Sequence, residues 1–216
     1  MELNKYIDHT LLKADATQTA IEKLASEAKQ YNFASVCVNP YYVPLCAKLL
    51  KGSDVKVCTV IGFPLGQMTT KAKCDEALDV INKGANEVDM VLNIAALKAK
   101  DLKYVTDEIS QIKDICHAHN VILKVIIETC LLDEQNKIDA CKCVSDAQAD
   151  FIKTSTGFST GGATVEDVAL MKKYVNPAVK IKAAGGIRNK QDALNMIEAG
   201  ASRLGTSKGV SLVTDK

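Results

Sequence analysis

The sequence predicts an α/β fold in which eight parallel strands close into a (β/α)8 (TIM) barrel, a single domain over residues 1–216. Two observations carry that prediction. Short β-branched runs alternate with longer helical patterns from end to end, and no Pro-, Gly- or Ser-rich linker divides the chain. Several runs also place charged residues on one face and apolar residues on the other. A doubly wound sheet, the other architecture that alternation permits, is covered by helices on both faces, so its central strands are apolar on both. A barrel gives each strand one helix-packed face and one interior face, where charged groups near the C-terminal strand ends reach a site.

The runs fall at 6–10 (YIDHT), 33–38 (FASVCV), 55–61 (VKVCTVI), 87–93 (EVDMVLN), 122–128 (ILKVIIE), 150–155 (DFIKTS), 179–184 (VKIKAA) and 202–206 (SRLGT). In the fourth, Glu87, Asp89 and Asn93 oppose Val88, Met90 and Leu92. In the fifth, Lys124 and Glu128 oppose Leu123, Val125 and Ile127, and in the seventh Lys180 and Lys182 oppose Val179, Ile181 and Ala183. Between strands, Ile21, Leu24, Ala25 and Ala28 recur at helical spacing, as do Val105, Ile109, Ile112 and Ile115 in the run that Asp101 opens. Thr164 followed by Asp167 reads as a capping box with a carboxylate at its third position, which starts a helix over 165–175. A barrel of 216 residues lies near the short end of the usual range, so its loops are short.

The 27 Lys and Arg against 26 Asp and Glu give a formal charge of +1 without a basic or acidic block. That excludes an electrostatic footprint for nucleic acid or an anionic membrane. The N-terminal MELNKYIDHTLLKADAT has charges at positions 2, 5 and 8 and no signal-peptide apolar run, and no stretch of about 18 apolar residues occurs. A cytoplasmic protein is expected. The eight cysteines contain no C-x-x-C spacing and are read as reduced thiols in the core and on helix faces. His117 and His119 sit on the segment before the fifth strand and are read as solvent-facing groups, not metal ligands.

Asp89, Lys153 and Lys182 lie on separate strands. Lys153 follows Phe151 and Ile152 and precedes the Gly-rich TSTGFSTGG, which puts it at a C-terminal strand end that opens onto a loop. Barrel enzymes keep their reacting groups there. A lysine amine attacks carbonyl carbon only when neutral, and a second ammonium about 5 Å away opposes its charging by roughly 3 kcal/mol at an effective dielectric near 20. Lys182, on the next strand, is that cation, and Asp89 is the acid/base partner that shuttles protons. Gly157, Gly185–Gly186 and Gly205-Thr206-Ser207 follow strands six, seven and eight. Loops after strands seven and eight form the phosphate cradle of this architecture, and Arg188 or Lys208 adds charge, so a phosphorylated sugar is the expected ligand.

At these residues the sequence resembles the deoxyribose-phosphate aldolases, a family of class I (Schiff-base) aldolases. The likeness runs through YIDHTLLKADAT, SVCVNP, VCTVIGFPLG, EVDMVLN, LKVIIETCLL, FIKTSTGFSTGGAT, VKIKAAGGIR and RLGTS, nearly the whole chain. It implies reversible cleavage of 2-deoxy-D-ribose 5-phosphate to D-glyceraldehyde 3-phosphate and acetaldehyde, in deoxyribonucleotide catabolism. By the same resemblance Lys153 is the Schiff-base lysine, Lys182 its neighbour and Asp89 the proton-transfer aspartate. Asp8 supports the proton relay, and Gly157, Gly185, Gly186 and Ser207 contact phosphate with Arg188 close by. Departures are Ala95 where glycine is frequent, Phe158 where some members carry a basic residue, and Lys208 where a small residue is common. No cofactor or metal is implied, because the cationic imine is the electron sink. A homodimer is the assembly that family members commonly form. The alternatives are a Schiff-base aldolase for another phosphorylated sugar and a non-catalytic sugar-phosphate binding barrel, the second of which would bury three polar residues at a cost without a catalytic return.

Overall fold

The computed structural model describes residues 2–214, so the expected span of 1–216 extends outside the described residues at Met1, Asp215 and Lys216. Eight strands form a closed parallel barrel in chain order, β1 (Ile7–Leu11), β2 (Ser35–Val38), β3 (Lys56–Ile61), β4 (Glu87–Val91), β5 (Ile122–Ile126), β6 (Phe151–Lys153), β7 (Lys180–Ala184) and β8 (Arg203–Thr206). Closure comes from β1 on β8, with Ile7 opposite Leu204 and Asp8 opposite Gly205.

Helices α1 (Gln18–Gln30), α2 (Val43–Leu49), α3 (Thr70–Asn82), α4 (Ile94–Lys98), α5 (Leu102–Ala118), α6 (Glu134–Asp146), α7 (Val165–Tyr174), α8 (Lys190–Ala199) and α9 (Gly209–Thr214) follow the strands. Their starts are set by side chains that satisfy otherwise unpaired N–H groups. Asp101 Oδ1 accepts from Tyr104 N at 3.1 Å to begin α5, and Thr164 Oγ1 accepts from Asp167 N at 3.0 Å to begin α7. The helical spacing read in α1 buries Ile21, Leu24, Ala25 and Ala28; in α5 it buries Val105, Ile109 and Ile112 and leaves Ile115 partly buried. Among the described residues, no helix is long and apolar enough to cross a membrane.

Several runs are shorter than the sequence suggests, for local reasons. Phe33 precedes β2: Asn32 turns left-handed at φ 51° after α1, and Phe33 N then donates to Ala28 O at 3.0 Å. Asn93 leaves β4 to cap α4, accepting from Ala96 N at 3.0 Å. Glu128 lies beyond β5 with φ 53° and ψ 66°, which ends extended pairing there. Lys180 shares the face of Lys182 but lies exposed at the N-terminal barrel mouth, its ammonium 5.7 Å from the Phe151 ring.

Among the described residues, one ion pair is fully buried outside the barrel. Lys73 on α3 and Glu108 on α5, both with fully buried side chains, meet at 2.8 Å. Lys73 also donates to Val91 O at 2.8 Å, and Glu108 accepts from Asn93 N at 3.0 Å. The pair therefore ties both outer helices to the end of β4, the strand that carries Asp89.

Candidate active site

The interior charges form one connected cluster. Asp89 Oδ2 accepts from Lys153 Nζ at 2.8 Å and from Lys182 Nζ at 2.7 Å, while its Oδ1 accepts from Lys124 Nζ at 2.8 Å. Two nitrogens that share one oxygen lie no farther apart than the sum of those contacts, so each lysine is within range of the other's charge. The sequence reading set the two lysines directly against each other. The structure adds the Asp89 carboxylate as a bridge, so part of their repulsion is offset.

Asp8 Oδ2 lies 2.5 Å from Lys182 Nζ, and its Oδ1 accepts from Arg203 Nη1 and from Ser35 Oγ, both at 2.6 Å. Below it, Glu87 lies 2.6 Å from Lys124 Nζ and bonds both Arg203 amino groups at 3.1 and 3.2 Å. The structure thus brings together Asp8, Asp89, Lys153 and Lys182, all from the sequence reading. It adds Lys124, Glu87, Arg203 and Cys58, to which that reading gave no role. The alternation that flagged Asp89 also applies to Glu87 and Lys124. Nothing in RLGT marks Arg203.

Burial works against the charge of each group, and the partners decide the outcome. Desolvation pushes the Asp89 carboxyl up, but Lys124, Lys153 and Lys182 hold it well below the usual carboxylate range. Asp8 is lowered in the same way by Lys182 and Arg203. Burial opposes the Lys182 ammonium, yet Asp8 and Asp89 raise it above the ordinary lysine range, and Asp89 does the same for Lys124. Cys37 and Cys58 with Asp89, and Cys58 with Asp8 and Glu87, have the residue types of a metal site. Their carboxylate oxygens already accept from the buried ammonium and guanidinium groups, which would also repel a divalent ion, so the donor set does not fit one.

Above the cluster a cleft of about 270 Å³ opens at the C-terminal strand ends. It is lined by Lys153, Gly157, Gly185, Gly186 and Ser207, together with Lys13 and Phe158 among others. Gly185 and Gly186 adopt φ values of 81° and 80°, a backbone that L side chains disfavour. Thr206 Oγ1 donates to Ile187 O at 3.2 Å and accepts from Lys208 N at 3.0 Å, which joins the loops after β7 and β8. Glu128 grips the loop after β6, accepting from Thr156 N at 3.2 Å and from the Thr156 hydroxyl.

Two expected cations are placed elsewhere. Arg188 is exposed and outside the cleft lining, and its backbone N–H donates to Asp192 Oδ2 at 3.0 Å where α8 begins. Lys208 lines a separate depression with His9 and Glu27. Lys13, in the loop after β1, lines the cleft, and the sequence reading gave it no role. Both histidines at the end of α5 are exposed, with His117 Nε2 at 3.0 Å from Asp150. All eight cysteines are free.

A closed barrel with a lysine amine and a carboxylate at the floor of its C-terminal cleft is the arrangement of an amine-dependent barrel enzyme. The chain belongs to the DeoC/LacD family of aldolases, whose model matches residues 3–213. A deoxyribose-phosphate aldolase of Brevibacillus brevis is 61% identical over 214 residues, 99% of this chain and 96% of that protein. One from Treponema denticola is 55% identical over 216 residues, the whole of both chains. Among solved structures, the deoxyribose phosphate aldolase from Aeropyrum pernix, described as having a unique tetrameric structure, is similar with a TM-score of 0.91 at 34% identity. That match covers 98% of this chain and 89% of the other.

Proposed function

We propose that the protein reversibly cleaves 2-deoxy-D-ribose 5-phosphate to D-glyceraldehyde 3-phosphate and acetaldehyde, with Lys153 as the Schiff-base lysine. One observation carries the assignment: of the three amines bonded to Asp89, Lys153 is the one that also lines the cleft. Charge balance supports it. Asp8, Glu87 and Asp89 face Lys124, Lys182, Arg203 and Lys153, so the buried cluster is neutral when one nitrogen carries no charge. The first three nitrogens each contact two carboxylates at short range, whereas Lys153 contacts Asp89 alone among them.

In this mechanism the neutral Lys153 amine attacks the C1 aldehyde of the open-chain sugar, and the carbinolamine loses water to give a cationic imine. The imine draws in the electrons of the C2–C3 bond as the C3 hydroxyl loses its proton. Glyceraldehyde 3-phosphate leaves, and the remaining enamine takes a proton before hydrolysis releases acetaldehyde. Asp89 Oδ2 touches both Lys153 and Lys182, so the carboxylate can take a proton from the reacting nitrogen, and the Lys182 ammonium can return one through it, without either side chain moving to a new partner. Asp8 holds Lys182 from the other side. The phosphate lies toward Gly157, Gly185, Gly186 and Ser207, with Lys13 as counter-charge. Action as a homodimer, in the cytoplasm, is part of the same proposal; sedimentation would show twice the 23.3 kDa chain mass.

The test is borohydride reduction in the presence of acetaldehyde, followed by peptide mass mapping. An ethyl adduct on Lys153 is expected. Labelling of another lysine, or of none, overturns the assignment, and cleavage of a different phosphorylated sugar in preference to deoxyribose 5-phosphate overturns the substrate.

A further inference from the structure

The mechanism leaves unused two buried sulfurs that lie beside Asp89. Cys37 on β2 and Cys58 on β3 are direct partners in the parallel register, and both are fully buried. Their sulfurs and an Asp89 oxygen lie within 4.8 Å of one another. Adjacent strands run about 4.8 Å apart, inside the Cα separation of about 4.4–6.8 Å that a disulfide spans. Both residues belong to one small apolar cluster with Leu12, which also lines the cleft. The two are not equivalent. A hydrogen bond with Cys58 lowers the Cys37 thiol below its ordinary range, whereas burial pushes Cys58 well above it. Cys58 donates to Asp89 Oδ1 at 3.2 Å and contacts Lys124 Nζ at 3.2 Å.

We propose that Cys37 and Cys58 form a peroxide-sensitive dithiol that closes to a disulfide and switches the barrel off. The Cys37 thiolate attacks hydrogen peroxide, the O–O bond breaks, and the departing hydroxide takes up a proton as water, leaving a sulfenic acid. The Cys58 sulfur, giving up its proton, then attacks the Cys37 sulfur; the S–S bond forms, the S–O bond breaks, and a second water leaves. Two thiols are oxidised and one peroxide is reduced. Both end states are neutral at sulfur, so the lysine–carboxylate balance survives. What is lost is the thiol donor to Asp89, the group that both Lys153 and Lys182 contact. Loss of a hydrogen bond to a charged group corresponds to a fall in turnover of about 10- to 150-fold.

The test treats the intact protein with hydrogen peroxide and maps its peptides without reduction. A cross-linked pair containing Cys37 and Cys58, two hydrogens lighter than the free peptides, is expected together with a loss of about 10- to 150-fold in aldolase activity that dithiothreitol restores. Each of Cys37→Ser and Cys37→Ala, compared with itself before and after peroxide, should lose the reversible response. Absence of the cross-linked pair overturns the proposal, as does an equal, dithiothreitol-reversible loss in both Cys37 variants. Mapping depends on no activity, so it remains decisive if the substrate assignment fails.

Discussion

Asp89→Asn removes one charge and one acceptor from the middle of the interior cluster while keeping the side-chain shape. Lys124, Lys153, Lys182 and the Cys58 thiol all bond this carboxylate, and its side chain is fully buried. Whichever way the amide turns, its NH2 faces a cation. Two carboxylates then confront Lys124, Lys182 and Arg203, an excess of one positive charge even with Lys153 neutral. Breaking a buried ion pair costs about 3–5 kcal/mol, which for a chain of this size lowers Tm by roughly 6–20 °C. Proton transfer is impaired as well, so kcat falls by about 10²–10⁴-fold. The substitution leaves the Lys153 amine itself in place at the cleft, so borohydride trapping of acetaldehyde on Lys153 persists while turnover is lost. Steady-state kinetics at a temperature well below the variant's Tm, paired with trapping and mass mapping, measure both. A kcat within tenfold of the parent, or loss of trapping in parallel with turnover, refutes the reasoning.

Three further outcomes follow from the same geometry. Lys73→Met strands Glu108 as a buried anion and costs about 3–5 kcal/mol in urea unfolding, and adding Glu108→Gln recovers more than half, since the glutamine oxygen still accepts from Asn93 N. Asp8 and Asp89 have folded values lowered below 3.8, so their stabilisation is complete well above pH 3.8 and is lost as pH falls through and below it; Lys182 and Arg203 are raised, so theirs is lost only in strong alkali. Thermal melts against pH should therefore show an acid limb that Asp89→Asn makes shallower. Lys13→Ala should raise KM for deoxyribose 5-phosphate by about fivefold, whereas Arg188→Ala changes it by less than about twofold.

The alternating strand and helix units are legible in the chain because each is a local pattern. Period-two alternation puts Glu87 and Asp89 on one face of β4, and helical spacing gives the buried stripes of α1 and α5. Strand ends were less legible, since they depend on departures such as the left-handed Glu128 and the cap made by Asn93.

The sequence by itself determined the alternating strand and helix units, the strands that carry Asp89, Lys153 and Lys182, and the glycine loops beside them, because each rests on residues near one another in the chain. Only the tertiary structure decided who pairs with whom. Arg203 and Asp8 are 195 residues apart and meet at 2.6 Å because β8 closes on β1. Lys124 reaches Asp89 because the parallel register sets them opposite each other on β5 and β4. Closure and register are collective properties of eight strands, and no single segment encodes them. The same holds at the cleft, where loop paths turn Lys13 toward the site and leave Arg188 outside it.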